Sequence, residues 1–145
     1  MQIVIKRIDT ELPLPRYHTS GAAAFDFYSR ETMTISPKEI VRIPSNFIIA
    51  TPPGYFLMIA ARSSLASKKG LMLANGIGII DSDYAGENDE ILISVYNFTD
   101  QPVIVERGER IAQGVFVKIE QGEWEEVERM ETKDRGGFGS TGSSI

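Results

Sequence analysis

The chain has 145 residues, the size of one domain, and at that length folding buries roughly 68–70% of the unfolded surface. It contains no cysteine, which excludes a disulfide framework, a thiolate zinc site and cysteine nucleophiles, and its single histidine, His18, cannot build a multi-histidine metal site. The formal net charge of −5 argues against nucleic-acid binding, which needs a basic footprint, so any phosphate site must be compact and local. No apolar run reaches the length of a membrane span, and the N-terminus lacks a signal-peptide layout; a soluble, cytoplasmic protein without a membrane partner is expected.

In chain order, β-rich runs separated by turn residues fall at 2–6, 33–37, 40–43, 55–61, 90–98, 102–106 and 113–119. Many short strands of this kind predict an all-β jelly roll or barrel over residues 1–130. Helix signals are confined to one short turn at RSSLASKKG, where Ser63 or Ser64 is placed to cap it. His18 stands alone near a Pro-rich loop and receives no role.

Four segments carry residues suited to chemistry. In GAAAFDFYS, strand alternation puts the carboxylate of Asp26 on the face opposite the rings of Phe25 and Phe27. In ARSSLASKKG, Arg62 and the two hydroxyls stand at the start of a helical turn, a ready anion site, although an N-cap beside a solvated Arg is the plainer reading. In NGIGIIDSDYAG, the run Ile77–Ile80 reads as a buried hairpin strand closed by Asp81 and Asp83. Such carboxylates are commonly turn-formers; the functional reading makes one a general base for a water, with Tyr84 as a flat wall beside it. In ERIAQGVF, Arg110 and Gln113 precede a hydrophobic strand. From Lys133 the composition shifts to Gly, Ser and Thr around one Phe and one Arg, which suits either a solvated tail or a segment that stacks on a base and touches phosphate.

Taken in order, GAAAFDFYS, ARSSLASKKGL, NGIGIIDSDYAGE, ERIAQGVF and RGGFGSTG resemble the five motifs of the trimeric dUTPase family, over nearly the whole chain. The resemblance implies a dUTPase-like jelly roll and hydrolysis of dUTP to dUMP and pyrophosphate, keeping uracil out of DNA and supplying dUMP. It implies Asp81 as the base for water attacking the α-phosphorus, and Asp83 as a turn residue. Uracil would lie against the hairpin at Asn75, Gly78 and Ile80, too tight for a 5-methyl group, and Tyr84 would occupy the space of a ribose 2′-hydroxyl. Mg²⁺ would be the cofactor, held by Asp26 through water. Ser63, the N–H of Ser64 and Gln113 would contact phosphate oxygens, while Arg62 has either a phosphate or Asp26 open to it.

The same resemblance makes residues 131–145 a flexible arm that closes over a neighbouring site, so a homotrimer with shared sites is implied. Phe138 would stack on uracil, and Arg135, Gly139, Ser140 and Thr141 would line the γ-phosphate. Two features depart from the family pattern. Only Gly136 and Gly137 separate Arg135 from Phe138, which leaves open the phosphate that Arg135 reaches, and the stretch ENDE after Gly86 lengthens the hairpin. The related dCTP deaminases share R-S-S-L-A, but their glutamate three residues before an Asn is Ser94 here, counting from Asn97. A dUTP sensor without turnover is disfavoured by Asp81, which pure binding does not need.

Overall fold

In the computed structural model, which describes residues 1–137, eleven strands and one short helix form an all-β jelly roll around a single apolar core. The strands are β1 (Val4–Arg7), β2 (Phe25–Tyr28), β3 (Met33–Ile35), β4 (Ile40–Pro44), β5 (Phe47–Ala50), β6 (Tyr55–Ala61), β7 (Leu71–Leu73), β8 (Gly78–Ile80), β9 (Leu92–Asn97), β10 (Val103–Val105) and β11 (Arg110–Lys118). The helix α1 spans Leu65–Lys69 between β6 and β7. Every strand pairing among the described residues is antiparallel: β1 with β5, β3 with β10, the order β2-β11-β6-β8, and the order β4-β9-β7.

The period-2 pattern explains most of this. Along β9, Ile93, Val95 and Asn97 turn inward while Leu92 faces out, the alternation of a sheet with one face on a core. Asn97 is fully buried yet satisfied: its amide donates to the carbonyls of Ile35 (3.0 Å) and Gln101 (2.8 Å), and its oxygen accepts from Thr99. Two short strands, β5 and β7, are absent from the set expected from the sequence. Each is a brief apolar run whose strand character comes from its partners, β1 for FIIA and β9 for LML.

The nine-residue β11 is central, because it pairs with β2 on one side and along the whole length of β6 on the other. Phe25 and Phe27 pack beside each other at 5.3 Å between ring centroids, and Phe25 also meets Phe116 of β11 at 5.6 Å. Gly114 makes this possible. A Cβ there would lie 2.7 Å from both Phe25 Cζ and Phe27 Cε2, inside contact distance.

The hairpin strand β8 corrects an expectation. The sequence reads Ile77–Ile80 as buried, but β8 pairs only with β6 and is the outer strand of its sheet, so Ile77 is exposed and Ile79 is 60% exposed. Apolar composition alone does not distinguish a strand covered within the protomer from one whose cover must come from elsewhere.

Gly114→Ala is expected to destabilise the fold by about 1–3 kcal/mol through overpacking against the two phenyl rings, read as a lowered midpoint in urea with an unchanged slope.

Candidate active site

Asp26 is the hub of the first group of polar residues. The β2–β11 register sets it opposite Gln113, and alternation turns its side chain away from Phe25 and Phe27 as expected. There its buried carboxylate meets three partners from three segments: Arg62 Nε at 3.1 Å on Oδ1, and Arg110 Nη1 at 3.1 Å and His18 Nε2 at 3.0 Å on Oδ2. Of the two partners open to Arg62, the structure pairs it with Asp26. Gln113 is fixed alongside, its Nε2 donating to the Ala61 carbonyl at 2.9 Å.

His18 and Arg110 belong to this cluster; the sequence assigned His18 no role and named Arg110 only within a candidate segment, without a role of its own. Nothing local marks His18, eight residues before Asp26; only the folded loop carries it to the carboxylate. Arg110 had a clearer signal, standing three residues before Gln113 on the same strand.

Next to this cluster a cleft of about 480 Å³ opens between α1 and the turn before β11, lined by Arg62, Ser64, Lys68, Lys69 and Arg110, with Glu109 as counter-charge to Lys69 at 2.9 Å. Ser64 occupies the N-cap of α1 without a side-chain capping bond, and Ser63 beside it is exposed. The chain is acidic overall, yet this wall collects cations and hydroxyls, a compact surface for an anionic ligand.

The second group lies on the β8 hairpin. Gly76 adopts φ +74° at the tip, a conformation that glycine takes without steric cost, and Ile77 N–H donates to the Asn75 carbonyl at 2.9 Å. Asn75, Gly78 and Ile80 line a small pocket of about 90 Å³ together with Ile59 and Ser94. Asp81 follows β8 and starts a tight turn closed by Tyr84 N–H on the Asp81 carbonyl at 3.2 Å, with Asp83 inside that turn. Both carboxylates are exposed. Tyr84 is 38% exposed, and its hydroxyl donates to the Glu90 carbonyl at 3.1 Å.

The Asp81 end of the hairpin is remote from the Asp26 cluster on one protomer, although Gly78 registers with Ile59, next to Ala60. Along β6, Gln113 registers with Ala60 and Arg62 follows Ala61, whereas Ile80, which leads into Asp81, registers with Leu57. The five-residue interval between Leu57 and Arg62 is roughly 17 Å of strand. Arg135 is exposed in the C-terminal stretch, and Phe138, Gly139, Ser140 and Thr141 lie outside the described residues.

The family model described as dUTPase matches residues 10–143. The chain belongs to the dUTPase family. Among similar proteins, the deoxyuridine 5'-triphosphate nucleotidohydrolases of Dictyoglomus turgidum and Desulfitobacterium hafniense are 43% and 44% identical to it, covering 98% and 99% of this chain and 99% and 97% of theirs. The crystal structure of the Streptococcus mutans dUTPase superposes with a TM-score of 0.76 at 35% identity, covering 83% of this chain and 98% of that one. That of Staphylococcus bacteriophage 80alpha dUTPase with dUPNHPP gives 0.87 at 26% identity, over 98% and 99%. Both residue groups fall inside the matched span.

Removing the hub carboxylate leaves two guanidinium groups facing each other. Asp26→Ala is therefore expected to lower stability by about 1–3 kcal/mol in urea unfolding. Asp81→Asn, at an exposed turn whose closing bond is made by the backbone, is expected to stay within about 0.5 kcal/mol of the parent.

Proposed function

We propose that the dUTP hydrolysis assigned to this chain by its family takes place at sites built between copies of a homotrimer, one copy giving the β8 hairpin and another the Asp26 cluster and its cationic cleft. The observation that carries this is the separation of the Asp81 end of the hairpin from Arg62, roughly 17 Å along β6, too far for one protomer to hold the general base and the cationic cleft at a single reacting phosphorus. The uncovered edge of β8, and a chain that after Ile119 bears the exposed apolar residues Trp124, Val127 and Met130, supply surfaces that further copies would cover.

In this reading the hairpin backbone at Asn75, Gly78 and Ile80 pairs with uracil, and the confined pocket rejects a 5-methyl group by clash and cytosine by its wrong donor pattern. Ser94 faces the same pocket and offers no acid–base group for deamination of the base. Tyr84 presses on the deoxyribose and excludes a 2′-hydroxyl. Ser63, the N–H of Ser64, Arg62 and Gln113 hold phosphate oxygens in the cationic cleft.

Asp81 orients a water and takes its proton as the oxygen attacks the α-phosphorus; the bond to the bridging oxygen breaks and pyrophosphate leaves, with dUMP retaining the new P–O bond. Residues 131–145 close over a neighbouring site, Phe138 stacking on uracil while Arg135, Gly139, Ser140 and Thr141 meet the terminal phosphate, expelling water and aligning the chain of phosphates.

The donor set fits Mg²⁺ in one particular way. No group of three carboxylate or histidine ligands exists among the described residues, and both oxygens of Asp26 are already engaged. A cation that keeps its waters and takes most of its remaining ligands from the phosphates needs no more than one such carboxylate. Asp26 would hold it through water, and the bound ion would offset the charge of the triphosphate. No helix in the described residues is long and apolar enough to cross a membrane, and a cytoplasmic setting matches the nucleotide substrate.

Two measurements test this. Pyrophosphate release should occur with dUTP and Mg²⁺ and be far slower with dCTP, dTTP or UTP; Asp81→Asn should lose about 10²–10⁴-fold in kcat yet still bind a non-hydrolysable dUTP analogue. Ammonia release from dCTP, or analogue binding without any turnover by the parent, would sink the assignment. For the shared site, Asp81→Asn and Asp26→Ala subunits, each inactive alone, should regain activity when co-refolded, because some sites then combine an intact hairpin with an intact Asp26. Persistent inactivity of mixed oligomers would contradict it.

A further inference from the structure

The ring of Tyr84 is attached at its far end by a single hydrogen bond, from its hydroxyl to the main-chain carbonyl of Glu90. Where the ring stands therefore depends on where that carbonyl stands. The intervening segment is irregular, with one turn in which Asp89 N–H bonds the Gly86 carbonyl and Asp89 Oδ2 accepts from Gly86 N–H. A surface loop of this kind, lengthened by Glu87–Glu90, does not by itself fix a carbonyl.

Glu90 supplies what the loop lacks. Its mostly buried carboxylate accepts a two-pronged contact from Arg30, Nε to Oε1 at 2.9 Å and Nη2 to Oε2 at 3.0 Å, and a third bond from Asn46 N–H at 2.9 Å. Both donors are themselves held. Arg30 N–H bonds the Pro44 carbonyl at 2.8 Å, and Asn46, in the left-handed region at φ 76°, exchanges bonds with the backbone of Asp9. The next residue, Ile91, is fully buried and its N–H bonds the Phe47 carbonyl at 2.9 Å.

A paired guanidinium and carboxylate in fork geometry, largely out of water, is a stiff joint, unlike a solvated surface pair. Hydrogen bonding to Glu90 accordingly raises the Arg30 guanidinium above its ordinary range. The joint connects the ends of β2 and β4 to the one atom that anchors Tyr84, sixty residues along the chain from Arg30.

We propose that the Arg30–Glu90 pair is a specificity-determining positioning device: it fixes the Glu90 carbonyl, thereby the Tyr84 ring, and so sets how completely the site rejects a ribose. This rests on the reading of Tyr84 as the wall against the 2′-hydroxyl. Arg30 and Glu90 do not touch the nucleotide; they act through Tyr84. Loosening the joint lets the ring swing away and admit UTP, while the base and the phosphate contacts remain in place.

The test is steady-state kinetics of the full-length protein with dUTP and UTP side by side, for Tyr84→Ala, Tyr84→Phe, Arg30→Gln and Glu90→Gln, each accompanied by thermal unfolding. Tyr84→Phe, Arg30→Gln and Glu90→Gln are expected to raise the kcat/KM of UTP relative to dUTP by roughly five- to tenfold, the scale of a misplaced positioning contact, and Tyr84→Ala by more. Arg30→Lys, which keeps the charge but not the fork, should fall between Arg30→Gln and the parent. A strut with no role in selection would lower activity on both substrates together and leave their ratio unchanged. That result, beside a raised ratio for Tyr84→Ala, overturns the positioning role and spares Tyr84. An unchanged ratio for Tyr84→Ala overturns both. Should either ion-pair variant fail to fold, Tyr84→Phe decides, since it removes only the hydroxyl at an exposed site.

Discussion

The double pairing of β11, with β2 along one edge and β6 along the other, is the constraint on which the rest of the molecule depends. It requires that the crossing point at Gly114 carry no side chain, because the rings of Phe25 and Phe27 occupy that space. Once the register is fixed, Gln113 must lie between Asp26 and Ala60, and a slip of one residue would turn every side chain on β11 to the opposite face. The same strand thus closes the core with one set of residues and aligns polar groups with the alternate set.

Charge is distributed with equal economy. An acidic chain gathers Arg62, Arg110, Lys68 and Lys69 on one wall, and the carboxylates of Asp26 and Glu109 keep that wall from repelling itself. In the proposed site a triphosphate would meet cations already oriented by their own counter-charges, so little reorganisation would be needed to bind it. With Asp26 occupied by two guanidinium groups and an imidazole, a cation in the proposed site would be held by that carboxylate through water rather than directly.

In the proposed assembly, the distance between Asp81 and the cationic cleft would give the exposed apolar surface a purpose. A protomer that leaves Ile77 and Ile79 uncovered on an edge strand, and Trp124 98% exposed, is an incomplete object in water. In the proposed assembly, association covers that surface and brings the two halves of the site together. Folding, oligomerisation and activity would then be linked. The Arg30–Glu90 pair ties the loop after the hairpin, whose Glu90 carbonyl accepts from the Tyr84 hydroxyl, to the end of β2.

The sequence by itself determined the strand-rich class, the absence of thiol chemistry, the helical turn after Arg62 and the family. These follow from local signals: period-2 alternation, turn residues, composition, and five ordered motifs. It also singled out Asp26, Arg62, Gln113 and Asp81 as the residues suited to chemistry. Only the tertiary structure decided that His18 and Arg110 close on Asp26, since His18 approaches through a loop with no periodicity to read. Only it showed that β8 is an outer strand, because an apolar run looks the same whether its cover comes from its own chain or from another. Only it separated the Asp81 end of the hairpin from the Asp26 cluster and joined Arg30 to Glu90, since register and contacts between residues sixty positions apart are set by packing of the whole chain and leave no trace in any short window of sequence.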